Sequence, residues 1–88
     1  MQLNSETVTI RDTEFEVREL TVAQLLPALQ TMAEDDSLGA LQLLKISVHM
    51  DGEPIGDALE SMPSEVFMKL SPVSMRVNNM GQEEEGND

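Results

Sequence analysis

The chain has 88 residues, 17 of them acidic and 5 basic, for a formal charge of −12. That balance argues against direct nucleic-acid binding, which needs a basic patch, and against anionic membrane surfaces; it favours solubility and basic partners. With no cysteine there is neither a disulfide framework nor thiolate chemistry, and with two phenylalanines as the only aromatics the core falls to aliphatic residues and seven methionines.

A chain of this length makes one small domain. The pattern predicts an α+β fold over residues 1–80: a short antiparallel β-hairpin packed on about three helices, followed by a disordered acidic tail over 81–88. No apolar run approaches the roughly 20 residues of a membrane span. The start, MQLNSETVT, lacks the basic and apolar regions of a signal peptide. The cytoplasm is the expected compartment.

The hairpin is predicted over about 6–19. Val8 and Ile10 alternate with polar neighbours, as do Phe15 and Val17, the period-two mark of half-buried strands. A two-residue turn at Asp12-Thr13 would pair Ile10 with Phe15 and Val8 with Val17, all on one face. A slip of one residue would oppose Ile10 to a glutamate. A lone hairpin is not stable in water, so this face must pack on helices.

Leu20 to Leu25 then reads as a helix start, with the helix predicted over 21–34. Thr21 is the N-cap, Gln24 completes a capping box, and Leu20 and Leu25 occupy the staple positions. The apolar face runs Val22, Leu25, Leu26, Leu29, Met32 and Ala33. Pro27 lies inside this helix, where a kink or a restart is expected. Glu34-Asp35-Asp36 opposes the helix dipole and favours a break.

Ser37 is the expected cap of a second helix over 37–50, apolar over more than half its girth and ended by Asp51-Gly52. The string Val48–Ile55 also reads as a second hairpin turning on Asp-Gly. A loop with one turn near 57–62 follows. Pro63-Ser64-Glu65 opens a third helix over 63–79, with Val66, Phe67, Leu70, Val73 and Val77 as its stripe. Pro72 interrupts it and Asn78-Asn79 ends it. The tail, GQEEEGND, cannot bury itself.

Little here supports catalysis. His49 is the single histidine, without cysteine to complete a metal site or a nucleophile and orienting group to make a base; its plain reading is a solvated residue at a helix end. Glu14, Glu16 and the 34–36 cluster read as solvated surface, since catalytic carboxylates need burial or a close partner. The glycines form no phosphate-binding loop, and no EF-hand spacing is present. The expectation is a non-enzymatic protein without metal or cofactor. What remains is apolar surface on the helices and scattered methionines, which either fill an aromatic-poor core or form an adaptable binding surface.

The stretches VTIRDTEFEVRELTVAQLLPAL and MPSEVFMKLSPVSMRVNNM resemble the opening and the last helix of tail assembly chaperones of Mu-like and related long-tailed phages. Together they cover about half the chain; Pro72 departs from the pattern. The resemblance implies a small acidic protein, often accompanied by a longer frameshifted product. Such a protein coats the tape measure protein, recruits tail tube subunits during tail morphogenesis in the host cytoplasm, and is absent from the virion. An apolar helix face suits capture of a long helical client. The capture surface is expected on the helices, around Leu41, Leu44, Val48, Val66, Leu70 and Met75, with self-association left open. The alternative is a small acidic phage-encoded inhibitor that mimics nucleic acid and acts by protein–protein binding. Its carboxylates should form an even array, whereas they cluster at 12–19, 34–36 and 83–85.

Overall fold

A computed structural model describes residues 1–80; the tail predicted over 81–88 lies outside the described residues. The fold is α+β. Strands β1 (Ser5–Ile10) and β2 (Thr13–Arg18) lead into helices α1 (Val22–Glu34) and α2 (Asp36–Ser47). Two short strands follow, β3 (Val48–Met50) and β4 (Glu53–Pro54), then a 3-10 helix (Gly56–Ser61) and helix α3 (Ser64–Val77). The four strands form one antiparallel sheet in the order β1-β2-β3-β4.

The first hairpin turns one residue earlier than expected. Arg11 and Asp12 hold φ of 50° and 66°, the positive pair that a two-residue type I′ turn demands. Thr13 is β-branched and ill suited to positive φ, so the turn sits on Arg11-Asp12 and Thr13 starts β2. Val8 therefore opposes Phe15 and Ile10 opposes Thr13, a register displaced by two residues from the expected one. Because side chains alternate with period two, a shift of two leaves the apolar set on the same face. Ile10, Phe15 and Val17 are buried and Val8 packs against them.

The second helix starts earlier than predicted and ends three residues sooner, at Ser47. Asp35, not Ser37, caps it: the Asp35 carboxylate accepts the Leu38 amide at 3.1 Å. At the other end Val48 leaves the helix and pairs with Val17. The Asp51-Gly52 turn, with φ of 53° and 85°, folds β4 back onto β3. The second-hairpin reading of 48–55 is thus the one realised, because an Asp-Gly turn and a β-branched Val48 complete the sheet beside β2.

Neither internal proline breaks its helix; α1 runs through Pro27 and α3 through Pro72. Each removes one donor, facing the carbonyl four residues earlier. Those residues, Ala23 and Met68, are exposed, as are both prolines, so water can serve the orphaned carbonyls. The capping box at Thr21 forms as predicted: the Gln24 amide donates to the Thr21 hydroxyl, and the Thr21 amide donates to the Gln24 side chain. One residue, Asp35, separates α1 from α2. The helices are closest at Gly39, where an added Cβ would lie 2.5 Å from the Met32 Cα and N.

Packing divides into two clusters. The larger joins the sheet to α2 and α3 through Ile10, Phe15, Val17, Leu44, Val48 and Leu70, among others. The smaller sits under α1, with Leu20, Ala28 and Leu43 buried and Leu25, Met32, Ile46, Met75 and Met80 around them. A buried Ser47–Ser74 hydroxyl pair, 2.7 Å apart, joins α2 to α3.

Helix α3 lies along the hairpin and is tied to it at both ends. Arg11 in the turn donates to Glu65 at 2.7 Å, and Arg76 donates to both oxygens of Glu6 at 2.8 and 2.7 Å. The spans match: Glu65 to Arg76 rises roughly 16 Å along a helix, and Glu6 to Arg11 roughly 17 Å along a strand. Hydrogen bonds from Lys69 and then Arg11 hold the Glu65 carboxyl below its ordinary value. Past α3, Asn79 takes φ of 64°. The Met80 amide bonds to the Met75 carbonyl and the Asn79 amide to that of Arg76, which is a Schellman closure.

Asn78 joins the chain's two halves. Its carbonyl oxygen accepts the buried Leu20 amide at 2.7 Å, while its amide nitrogen donates to the Ser74 carbonyl at 3.0 Å and that of Arg18 at 3.4 Å. Asn78→Ala strands the Leu20 donor in the interior. The expected cost is about 1–3 kcal/mol, read from urea unfolding of the two proteins; a loss below about 0.5 kcal/mol, the range of ordinary surface changes, refutes the assignment.

The Glu65 cluster predicts a pH signature. Its folded value lies below the ordinary 4.5, so the stabilisation is complete above that value. It is lost as pH falls through the folded value. Glu65→Gln should lower the melting temperature at pH 7, and the gap between the two proteins should narrow at an acid pH below the ordinary value. A gap of equal size at both pH values contradicts the charge-based account.

Candidate functional site

Two features were candidates for chemistry. The first is the outer face of the sheet, where the two type I′ turns border a cleft of about 470 Å³ lined by Thr7, Thr13, Glu14, Glu16 and His49, among others. His49 lies on β3 beside Glu16, not at a helix end, and it is buried rather than solvated. Its Nδ1 is 3.2 Å from the Ser47 carbonyl, which can only accept. Nδ1 therefore carries the proton, and Nε2 is the acceptor in the neutral ring. A hydrogen bond from Arg18 holds the Glu16 carboxyl below the usual carboxylate range, which suits a charged surface group rather than a general acid. No group of three or more His, Cys, Asp or Glu able to hold a metal occurs among the described residues.

The second candidate is apolar helix surface, and here the structure redistributes the predicted residues. Leu44, Val48, Val66 and Leu70 are all buried in the main core; they hold the sheet against α2 and α3. Met75 is half-buried and packs in the smaller cluster. Leu41 is half-buried and is the one predicted residue that lines an open apolar surface. That surface is a groove of about 540 Å³ between α2, the 3-10 helix and α3, which also includes Leu38, Met62 and Phe67.

A second unpartnered apolar face lies on α1. This helix packs on α2 and touches little else, and Ala28 is its only buried residue. Leu25, Ala28 and Met32 turn toward α2. Val22, Leu26 and Leu29 recur at four- and three-residue spacing on the adjoining strip and remain 73%, 49% and 37% exposed. Ala33, a turn further on, is exposed on the same strip. The ridge spans roughly 16 Å, three helical turns. Its other flank, with Ala23, Gln24, Pro27 and Gln30, carries no charge.

In the sequence these residues read as the apolar face of the first helix, while the capture surface was expected around Leu41, Leu44, Val48, Val66, Leu70 and Met75. The signal that could have separated scaffold from surface is width. Together with Ala28, the six apolar residues cover an arc of roughly 160°, more than a single neighbouring helix covers.

The contrast between ridge and core is measurable. Leu70→Ala, in the core, should cost about 2–5 kcal/mol, while Leu26→Ala should stay within about 0.5–1 kcal/mol. Chemical denaturation of both variants checks this; equal losses would mean that α1 is seated more deeply than the exposed ridge implies.

Two further properties bear on what such a surface can do. No helix among the described residues is long and apolar enough to cross a membrane. All five basic side chains are engaged by carboxylates of the same chain: Arg11 and Lys69 by Glu65, Arg18 by Glu16, Lys45 by Asp57 and Glu60, and Arg76 by Glu6. Compared with protein-family models, curated proteins and solved structures, the chain matches none of them.

Proposed function

We propose that this protein is a non-enzymatic binding module that shields an apolar helical segment of another protein. The observation that carries the reading is the ridge Val22–Leu26–Leu29, three large aliphatic side chains left in solvent on one strip of a helix that a single neighbour holds. Covering an aliphatic side chain gains roughly 1.5–3 kcal/mol. Apolar strips of this kind are how amphipathic helices are captured. The high acidity keeps such a surface soluble.

The resemblance of the hairpin, first helix and last helix to phage tail assembly chaperones supplies the client: a tape measure protein, held soluble before tail tube subunits assemble around it. In that role the protein acts in the host cytoplasm, takes no cofactor and does not bind nucleic acid. The acidic-inhibitor reading gains no observation of its own; in the sequence the carboxylates cluster at 12–19, 34–36 and 83–85 rather than at even spacing.

Coexpression with the tape measure protein from the same genome tests the reading. A soluble complex that coelutes on size exclusion is the expected outcome. A tape measure protein that stays insoluble, with this chain eluting alone, sinks it.

A further inference from the structure

We infer that the α1 ridge docks an amphipathic helix of about three turns, with Lys or Arg at the end that lies over Glu34 and Asp36. The inference rests on the protein-binding reading and adds the surface and the chemistry of its occupant. The ridge supplies the contact and the charges around it select the partner.

From Glu19 to Leu44 the sequence contains no basic residue. At the β2 end of the ridge, Glu19 is already engaged: one carboxylate oxygen accepts the Asn4 amide at 2.9 Å and the other accepts from Asn79 at 3.1 Å. At the far end, Asp35 is committed to capping α2. Glu34 and Asp36 are exposed, and no hydrogen bond or ion pair engages either side chain among the described residues. Glu34 also sits at the negative end of the α1 dipole, where no basic residue offsets it. An incoming cation there relieves a like-charge arrangement that the chain leaves uncompensated, since every lysine and arginine is paired elsewhere.

The same charges argue against the other occupants. A second copy laid along the ridge brings either Glu34–Asp36 against its own equivalent or against Glu19, acid on acid in both directions, between chains of −12 each. The chain's own tail, GQEEEGND, is acidic and has no large apolar residue to offer. An anionic lipid surface is repelled for the same reason. A helix fits because the ridge is convex and periodic at three and four residues, the spacing that meshes with the grooves of another helix.

The test uses the full chain and a fluorescent synthetic 18-residue peptide with leucines at helical spacing and three lysines at one end. Two controls accompany it: the same leucines with glutamates for the lysines, and a scramble of the lysine peptide that destroys the stripe. Anisotropy titrations should show binding of the lysine peptide alone. Val22→Glu or Leu26→Glu should weaken it about 10- to 100-fold, the range of a buried aliphatic anchor. The pair Glu34→Gln and Asp36→Asn should weaken it about three- to tenfold and flatten its salt dependence, as rim charges do. Val22 is exposed enough that its variant keeps the fold, which circular dichroism verifies.

Equal binding of the scramble, no binding of the lysine peptide, or binding untouched by Val22→Glu overturns the inference. So does a dimer that Leu26→Glu dissociates, or tighter binding to phosphatidylserine vesicles than to the peptide. The inference and the chaperone reading fail separately. A tape measure complex that survives Val22→Glu and Leu26→Glu removes the ridge and leaves the chaperone. Peptide binding with the expected variant pattern, but no tape measure complex, keeps the ridge and removes that client.

Discussion

The buried amide of Leu20 is the constraint on which the arrangement depends. It lies at the junction of β2 and α1, where the ladder of the hairpin has ended and the helix has not begun, so neither element supplies an acceptor. A donor left unpaired there would cost about as much as the net value of one or more ordinary hydrogen bonds. Asn78 supplies the acceptor from 58 residues away, and it does so from the C-cap of α3. One side chain thereby ends a helix, closes the hairpin junction and fixes where α1 departs from the sheet. The Glu19 amide donates to the Asn4 carbonyl and the Asn4 amide to the Glu19 carboxylate, which extends the hairpin to the same corner, and the Schellman turn brings Met80 back over the smaller cluster.

That corner explains why the molecule has two unequal cores. The sheet, α2 and α3 bury most of the large side chains, with ion pairs at both ends of α3 holding the hairpin in place. Beneath α1 the packing relies on Ala28, on glycine at the closest approach to α2, and on methionines at the margin. Small residues bring the helices close while giving little area, and methionine adapts to irregular space. The outcome is a helix anchored at its base by Leu20 and along one strip by α2, with its remaining apolar strip unburied. The part of the molecule with least burial is also the part with surplus apolar surface, the usual relation between low local stability and binding.

Much of this was legible in the residues. The alternation of Val8, Ile10, Phe15 and Val17 specified a face, and a face survives a two-residue shift of register; what it could not specify was the turn, which depends on Thr13 being a poorer host for positive φ than Asp12. Thr21 and Gln24 announced a helix start by a reciprocal pairing that is local in sequence, and local pairings are the readable ones. Asp51-Gly52 carried a hairpin signal that competed with the helical periodicity of the residues before it, and the tertiary pairing of Val48 with Val17 decided between them. The prolines were read as interruptions because sequence shows the lost donor and not the solvent that replaces it. Leu44, Val48, Val66 and Leu70 were read as surface for a related reason. Periodicity identifies an apolar face, and only the number of neighbours says whether that face is covered.

The charge distribution carries the last step. In a chain of −12, the basic residues are too few to neutralise the surface, and each is paired inside the molecule, to hold one element against another or to steady a strand or helix. Lys45, whose hydrogen bonds to Glu60 and Asp57 raise its value above the ordinary 10.5, ties α2 to the 3-10 helix; Arg11 and Arg76 tie the hairpin to α3. With its cations paired internally, the chain keeps a strongly acidic net charge. An exposed aliphatic ridge on such a chain is protected from its own kind by repulsion and open to a partner of opposite charge. The acidity and the apolar surface, which look unrelated in the composition, are then two halves of one device: the first keeps the second free until a basic amphipathic helix arrives.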